Sequence, residues 1–313
     1  MKQHGVKQLG ELTEHGIFRA LPALFHWLPE RKNKNMNDLS YSMVKAINRY
    51  EQVAAESVTL YPIRVSEFSE FLMARPAIEF LQQSLPVTLI SKPLLQAFYQ
   101  MDFDAAAKEE QGTGLFFRCV LFLLLALRAG EGMEPEDRLG LVYLLTDEKD
   151  QRKLRSIRIQ LSSDRYADIS PVQFQRLRPI LAAQNGIELV SENANPELVQ
   201  AEKDLAEMKA PKLRYELESV KASISLISGV SETEMDDWPI LRFNRQKDAV
   251  TRMLGYLNCG MAEAQGAKWP HGNPFPSPLY DREIDYCGGV IDMASFAGGA
   301  GMRAVQNAGS KTT

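Results

Sequence analysis

The residues best suited to chemistry in this sequence are a few cysteines and histidines and one cluster of acidic side chains. Cys259, His271 and Cys287 offer the thiol and imidazole ligands that zinc prefers, but they are far apart and no fourth ligand follows at zinc-finger spacing. The acidic cluster of residues 131–137 brackets Pro135, which is typical of a solvated turn rather than of a metal or acid pair. The sequence therefore predicts no metal site.

Motifs for nucleophilic catalysis and phosphate binding are also missing from the sequence. It contains no Walker loop, no H-E-x-x-H, no G-x-S-x-G and no paired C-x-x-C. His26 lies beside Trp27 without a nucleophile to pair with, and the glycine run of residues 298–301 does not follow a strand as a phosphate-binding loop would. We therefore expect no catalytic residue, no cofactor and no enzymatic activity.

Length, charge and cysteine count narrow the class of protein further. A chain of 313 residues suggests about two domains, and its net charge of -4 provides no basic excess for a nucleic-acid backbone. Three cysteines make an odd count that fits free thiols in a reducing compartment. The most apolar stretch, residues 115–127, is interrupted by Arg118 and is shorter than the ~20 residues of a membrane span. We expect a cytoplasmic protein that binds neither nucleic acid nor membrane.

Apolar spacing predicts the elements that would position any site in the first half of the chain. Residues 58–65 are predicted as an edge strand, because Pro62 cannot donate a ladder hydrogen bond. The segments 139–145 and 153–161 flank a charged turn and are predicted to form a β-hairpin. Helices are predicted from about residue 37, over 65–74 with Pro76 ending or bending the helix, over 92–102 and over 115–129.

The segment 170–188 carries the clearest local signals of a helix. Ser170 stands at the N-cap position with Pro171 after it and Gln173 three residues on, which is the pattern of a capping box. Gly186 suits the left-handed position after the last turn. Pro179 is expected to kink or shorten this helix.

The second half of the chain predicts two more helices and an extended segment. Residues 213–227 show a short heptad-like seam that either packs into its own domain or binds a partner helix. A helix over 248–263 is expected to turn Val250, Met253, Leu254, Leu257 and Met261 inward. The proline-rich segment 269–280 carries aromatic rings that pack either on their own domain or on a partner, and both alternatives stay open.

These elements predict an α+β protein that is predominantly helical, with a few short strands or one β-hairpin. We expect a helical domain with short strands over 37–165 and a helical domain over 166–281 that ends in the proline-rich segment. Residues 1–36 form an extension, which is either an accessory arm or upstream sequence joined to a protein that starts at Met36. Residues 282–313 are expected to be a flexible, glycine-rich tail.

The order of four sequence blocks resembles proteins encoded in the tail-gene clusters of bacteriophages and prophages, which are described as tail assembly chaperone-like or uncharacterised tail proteins. The blocks are LYPIRVSEFSEFL at 60–72, SPVQFQRLRPILAAQNGIE at 170–188, NPEL at 195–198, and the G-N-P-x-P-S-P stretch that closes residues 266–278. The resemblance spans roughly residues 37–280 and leaves both ends uncovered. Its motifs are structural, and none of them is catalytic.

The resemblance implies a non-enzymatic protein of phage tail morphogenesis that binds the long helical tape-measure protein and is displaced as tube subunits polymerise. Such a chaperone or scaffold would act in the host cytoplasm with tape-measure and tube proteins as partners, alone or as a homo-oligomer. The implied partner-binding residues are Tyr61, Phe71, Phe174, Arg178, Trp269, Phe275 and Tyr280, with Gln184 and Asn185 as further motif positions. For most of them, buried packing or capping is the competing interpretation.

Two other functions remain open. The first alternative is a structural component of the virion tail, such as a baseplate, connector or minor tail protein. The second is a phage-encoded enzyme or a host-directed regulator.

Overall fold

The computed structural model describes residues 39–190, 195–209, 216–269, 273–275 and 277–279 of the chain. The described residues form helices and two small antiparallel sheets, which confirms the predicted, predominantly helical α+β fold. The helices are α1 (Tyr41–Asn48), α2 (Phe68–Glu79), α3 (Leu94–Ala107), α4 (Leu115–Leu127), α5 (Pro135–Leu139), α6 (Pro171–Gln184), α7 (Pro196–Lys209), α8 (Leu217–Ser228), α9 (Glu232–Asp236) and α10 (Ile240–Ala264). The strands are β1 (Val53–Ala55), β2 (Val58–Leu60), β3 (Val142–Thr146), β4 (Leu154–Ser162) and β5 (Arg165–Ile169).

Contacts divide the chain into two compact units, one ending at Val250 and the other beginning at Thr251. In the first unit, one hydrophobic core runs from Ile47 to Ile187 and includes Ile240, so it does not follow the boundary expected near residue 165. The expected extensions 1–36 and 282–313 lie outside the described residues.

The apolar helix α4 lies inside the core of the first unit. Every residue from Cys119 to Leu127 is buried, and both α2 and α3 pack against this helix. Its first turn has no N-cap side chain of its own; instead, the carboxylate of Asp102 on α3 accepts hydrogen bonds from the backbone N–H groups of Gly114 and Phe116, each at 3.1 Å. A helix that is apolar on all sides needs neighbours on all sides, and this requirement places the surrounding elements.

Neither proline inside a helix ends it. α2 continues past Pro76 to Glu79, and α6 continues past Pro179 to Gln184. The buried side chain of Arg178 on α6 reaches the end of α2, where its Nε and Nη2 donate to the carbonyl oxygens of Ile78 and Phe80 at 2.9 and 2.6 Å. These carbonyls lack helical partners, so the arginine acts as a C-terminal cap supplied by a neighbouring helix.

The strands agree with the sequence predictions only in part. The predicted strand over 58–65 is shorter than expected, because β2 ends at Leu60 and the chain beyond it forms only an isolated bridge between Arg64 and Pro239. The predicted hairpin of residues 139–161 is confirmed as β3 and β4, which pair antiparallel. β5, which the sequence pattern did not predict, completes this sheet by pairing with β4.

The capping box of α6 is confirmed, and side chains at the other end of α6 form hydrogen bonds with the backbone at and after the hairpin of β1 and β2. Ser170 Oγ accepts from the backbone N–H of Gln173, whose side chain accepts from the backbone N–H of Ser170. At the far end, the Nε2 of Gln184 donates to the carbonyl of Leu60 at 3.2 Å, and the Oδ1 of Asn185 accepts from the N–H of Ile63 at 2.9 Å. Both amide side chains therefore stabilise the fold.

A second, smaller cluster in the first unit contains part of the seam predicted over 213–227. Residues 213–215 lie outside the described residues, and Ile227 is 47% exposed. α8 buries Ile224 together with Val65, Met235, Trp238 and Phe243. The helix ends at Gly229, whose φ of 73° is the left-handed conformation that commonly follows a last helical turn. For Leu217, Val220 and Ile224 the structure favours packing within their own unit over binding of a partner helix.

The cap made by Arg178 can be tested with a neighbouring arginine as its control. Replacing Arg178 with methionine leaves the carbonyls of Ile78 and Phe80 without these donors, so we expect the free energy of unfolding to fall by about 1–3 kcal/mol. Arg176 lies two residues away on the same helix, and its exposed ion pair with Glu56 predicts a loss below ~1 kcal/mol for Arg176→Met. Urea unfolding followed by circular dichroism measures both. Equal losses in the two variants would contradict the assignment.

Candidate functional site

Three residues expected to bind a partner lie in the interior of the first unit. Phe71 is 3% exposed, Phe174 is 0% exposed and Arg178 is 5% exposed. The two rings belong to the core, and the guanidinium of Arg178 caps α2. We therefore correct the expectation for these three residues, because in this fold their side chains cannot contact a partner directly.

Tyr61 is half-buried and lines a cleft of about 940 Å³ in the first unit. The cleft lies where α1 and α4 end, beside the segment that bridges to Arg64. Its lining residues are Tyr50, Glu51, Gln52, Tyr61, Pro62, Arg64, Arg128, Asp237 and Pro239. Of the predicted partner-binding residues in the first unit, Tyr61 is the one that the structure places at a concave surface.

Arginine side chains lie over the two tyrosine rings of this cleft. The Cζ of Arg128 is 4.6 Å from the ring centroid of Tyr61, and the Cζ of Arg245 is 5.5 Å from that of Tyr50. Both distances are within the range of cation–π interactions. The third arginine, Arg64, forms an ion pair of 2.6 Å with Glu131, so its charge is already compensated.

The second unit contains the predicted aromatic residues Trp269 and Phe275, which are both half-buried. Phe275 packs against α10 at Gly255, where an added Cβ would lie only 2.8 Å from the ring. Cys259, one turn further along, is buried on this side of the helix, and its burial raises the pKa of the thiol while a hydrogen bond with the Phe275 backbone opposes that shift. Of the two open alternatives, Phe275 thus packs on its own unit. Tyr280 lies outside the described residues.

The residues of α10 that were expected to face inward are exposed beyond Val250. Met253, Leu254, Leu257 and Met261 are 46%, 45%, 50% and 58% exposed, which makes the expectation for these four wrong. The reason is that Phe275 packs against the side of α10 that carries Gly255. Cys259 and Ala262 lie on the same side and are buried, so the larger apolar residues beside them stay exposed. We call the four exposed apolar residues the α10 face.

A sequence signal for this orientation does exist. Gly255, Cys259 and Ala262 follow one another at spacings of four and three, so small residues form one side of the helix. Such a side accepts the close approach of an aromatic ring, whereas the larger apolar residues beside it do not. Apolar periodicity alone assigns the larger side chains to the buried side, because it weighs hydrophobicity and not the space that a packed ring requires.

The described residues contain no group of three histidine, cysteine or acidic side chains that could hold a metal ion. Within the same residues, no helix combines the length and the apolar character needed to cross a membrane. The chain matches no known protein family, and no curated protein or solved structure is significantly similar to it.

The contact between Phe275 and α10 predicts the reactivity of Cys259. Gly255→Ala should displace the ring, and we expect the rate of thiol labelling at Cys259 to rise about tenfold or more, since loss of ~1.4 kcal/mol of protection corresponds to a factor of ten. Gly260→Ala is the matched control, because a Cβ added there meets nothing within 4 Å. Labelling is measured in a Cys287→Ser background, in which the remaining Cys119 is fully buried.

The pH dependence provides a second readout of the same contact. Because burial holds the pKa of the Cys259 thiol above its ordinary value, less of the reactive thiolate is present at a given pH, and labelling should become faster as pH rises. In Gly255→Ala this rise should move to lower pH. If Gly255→Ala and Gly260→Ala label at the same rate and with the same profile, Phe275 does not cover Cys259.

Proposed function

We propose that the protein is a non-enzymatic factor of phage tail morphogenesis, a chaperone or scaffold that binds the helical tape-measure protein in the host cytoplasm. The resemblance of the four sequence blocks to proteins of phage tail-gene clusters supports this function. The observation that carries the proposal is the α10 face, because binding an apolar helical seam requires an apolar surface that is open in the unbound protein.

The spacing of the α10 face suits a helical partner. Met253, Leu257 and Met261 recur every fourth residue, and Leu254 widens the stripe. A ridge at i, i+4 and i+8 is the feature that fits into the groove of another helix. Single exposed apolar residues are common on protein surfaces, but a contiguous stripe is typical of an interaction site.

The composition of the α10 face suits a contact that must later be released. Its four residues are between 45% and 58% exposed, so a partner covers only that exposed part of each side chain. Small interfaces of this kind are typical of transient complexes. Two of the four residues are methionines, whose flexible side chains can repack against different partner surfaces. A chaperone displaced by polymerising tube subunits needs both properties.

Polar substitution of the α10 face tests the proposal. We expect the double variant Leu257→Gln/Met261→Gln to recover about tenfold less tape-measure protein than the wild type, because losing half-buried contacts at two apolar residues costs roughly 1.4 kcal/mol or more. The measurement is co-expression with the tape-measure protein of the same tail-gene cluster, followed by its soluble fraction and affinity co-purification. The control is Val87→Gln/Leu226→Gln, at two residues that are 88% and 87% exposed in the first unit.

Two results would contradict the proposal. One is a tape-measure protein that stays insoluble and is not captured by the wild-type chain. The other is equal recovery by the α10 double variant and by the control. Persistence of the protein in purified phage particles would instead support the structural virion component.

A further inference from the structure

Two helices of the first unit end beside the same cleft with a bulky residue in the left-handed conformation. Tyr50 follows α1 with a φ of 61°, and Arg128 follows α4 with a φ of 53°. Both ends show the hydrogen bonds of the Schellman motif, in which Tyr50 N donates to Ile47 O at 3.0 Å and Arg128 N to Leu125 O at 3.1 Å. Glycine is the usual residue at this position.

A bulky residue in this conformation costs roughly 1–2 kcal/mol. Glycine or asparagine would relieve that strain at both helix ends, so the fold itself does not call for these side chains. Tyr50 and Arg128 both line the cleft of about 940 Å³, and strained backbone is concentrated at functional sites. Three other non-glycine residues with positive φ, Glu56, Ser57 and Glu109, do not line it, so the strain alone does not mark the cleft. What distinguishes Tyr50 and Arg128 is that both side chains line one concave surface.

The charges of the cleft indicate what it would bind. Among the ion pairs formed by the described residues, Arg64 takes part in two, whereas Arg128 and Arg245 take part in none. Arg245 already donates to Asn48 and to the hydroxyl of Tyr50. The guanidinium of Arg128 makes no hydrogen bond within the described part of the chain, so its N–H donors are available to a ligand. The contact with the ring of Tyr61 fixes the orientation of the guanidinium plane.

We propose that this cleft binds an acidic segment of another polypeptide, with a carboxylate held by the guanidinium of Arg128. A planar guanidinium with free donors matches the two oxygens of a carboxylate, and a fixed plane reduces the entropy lost on binding. A cleft of about 940 Å³ is at the upper end of ordinary ligand sites and has room for a short stretch of peptide.

A nucleic acid fits this cleft less well. Glu51 and Asp237 line it together with the arginines, so the positive charge is confined to single points. A phosphate backbone needs a continuous basic stripe, whereas a peptide can present one carboxylate to one guanidinium. The inference goes beyond the proposed function, because the cleft belongs to the first unit and its ligand need not be a tail protein.

Fluorescence anisotropy with the full chain and labelled decapeptides tests this inference at about 50 mM salt. The probes are five repeats of Glu-Pro and five repeats of Gln-Pro, which are both extended and differ only in charge. We expect the Glu-Pro peptide to bind at least about tenfold more tightly than the Gln-Pro peptide, and Arg128→Asn to weaken Glu-Pro binding about tenfold, the effect of losing one charge-assisted contact. Asparagine accepts the left-handed conformation, so the melting temperature of Arg128→Asn should equal or exceed that of the wild type.

The control is Arg155→Asn, which removes the same charge from an exposed arginine on β4 that pairs with Asp147 at 3.3 Å and does not line the cleft. It should bind the Glu-Pro peptide as the wild type does. Three results would overturn the inference: no binding of the Glu-Pro peptide at millimolar concentration, equal binding by Arg128→Asn and the wild type, or tighter binding of a ten-nucleotide oligothymidylate than of the peptide. Arg128→Lys should restore only part of the affinity, since lysine keeps the charge but lacks the planar fork.

Discussion

The burial of α4 is the constraint on which the first unit depends. Nine consecutive residues, from Cys119 to Leu127, have almost no contact with water, and each helical turn of such a segment must be covered by another element. α2 and α3 pack along it and β2 contacts it. Asp102 supplies the acceptors that its first turn lacks. Once α4 is enclosed, the positions of its neighbours and of its last turn, which ends at Arg128, follow.

The buried polar side chains of α6 hold this arrangement together. Arg178 reaches the end of α2, while Gln184 and Asn185 reach the backbone around the hairpin of β1 and β2. Each of these side chains joins segments that are far apart in sequence by satisfying backbone groups that would otherwise be buried without partners. The block of residues 170–188 is therefore a structural block. It carries information about the fold rather than about the partner.

Local signals allowed several elements to be predicted from the sequence. The capping box at Ser170 and the left-handed glycine at Gly186 depend on a few neighbouring residues and are confirmed. Features that depend on distant contacts were not predicted. α6 continues through Pro179, and its neighbour Arg178 caps α2 within the folded core. β5 forms because its backbone pairs with β4.

The candidate sites also depend on distant contacts and could be predicted from the sequence only in part. Spacing alone revealed that α10 has an apolar stripe, but which side of the helix is covered depends on where Phe275 lies in the folded unit. Tyr61 was singled out by a sequence block, yet its partner Arg128 and the strained end of α4 could be recognised only in three dimensions. Periodicity identifies the faces of a helix, and the tertiary fold decides which of them stays open.

Hydrogen–deuterium exchange of the full chain, alone and with the co-expressed tape-measure protein, tests the central claim that the α10 face is the binding surface. Binding there should slow exchange in the peptides that cover residues 251–264 and leave those of α6 unchanged, because α6 serves only the fold. Protection that appears at α6, or complex formation without any protection of residues 251–264, would contradict the account.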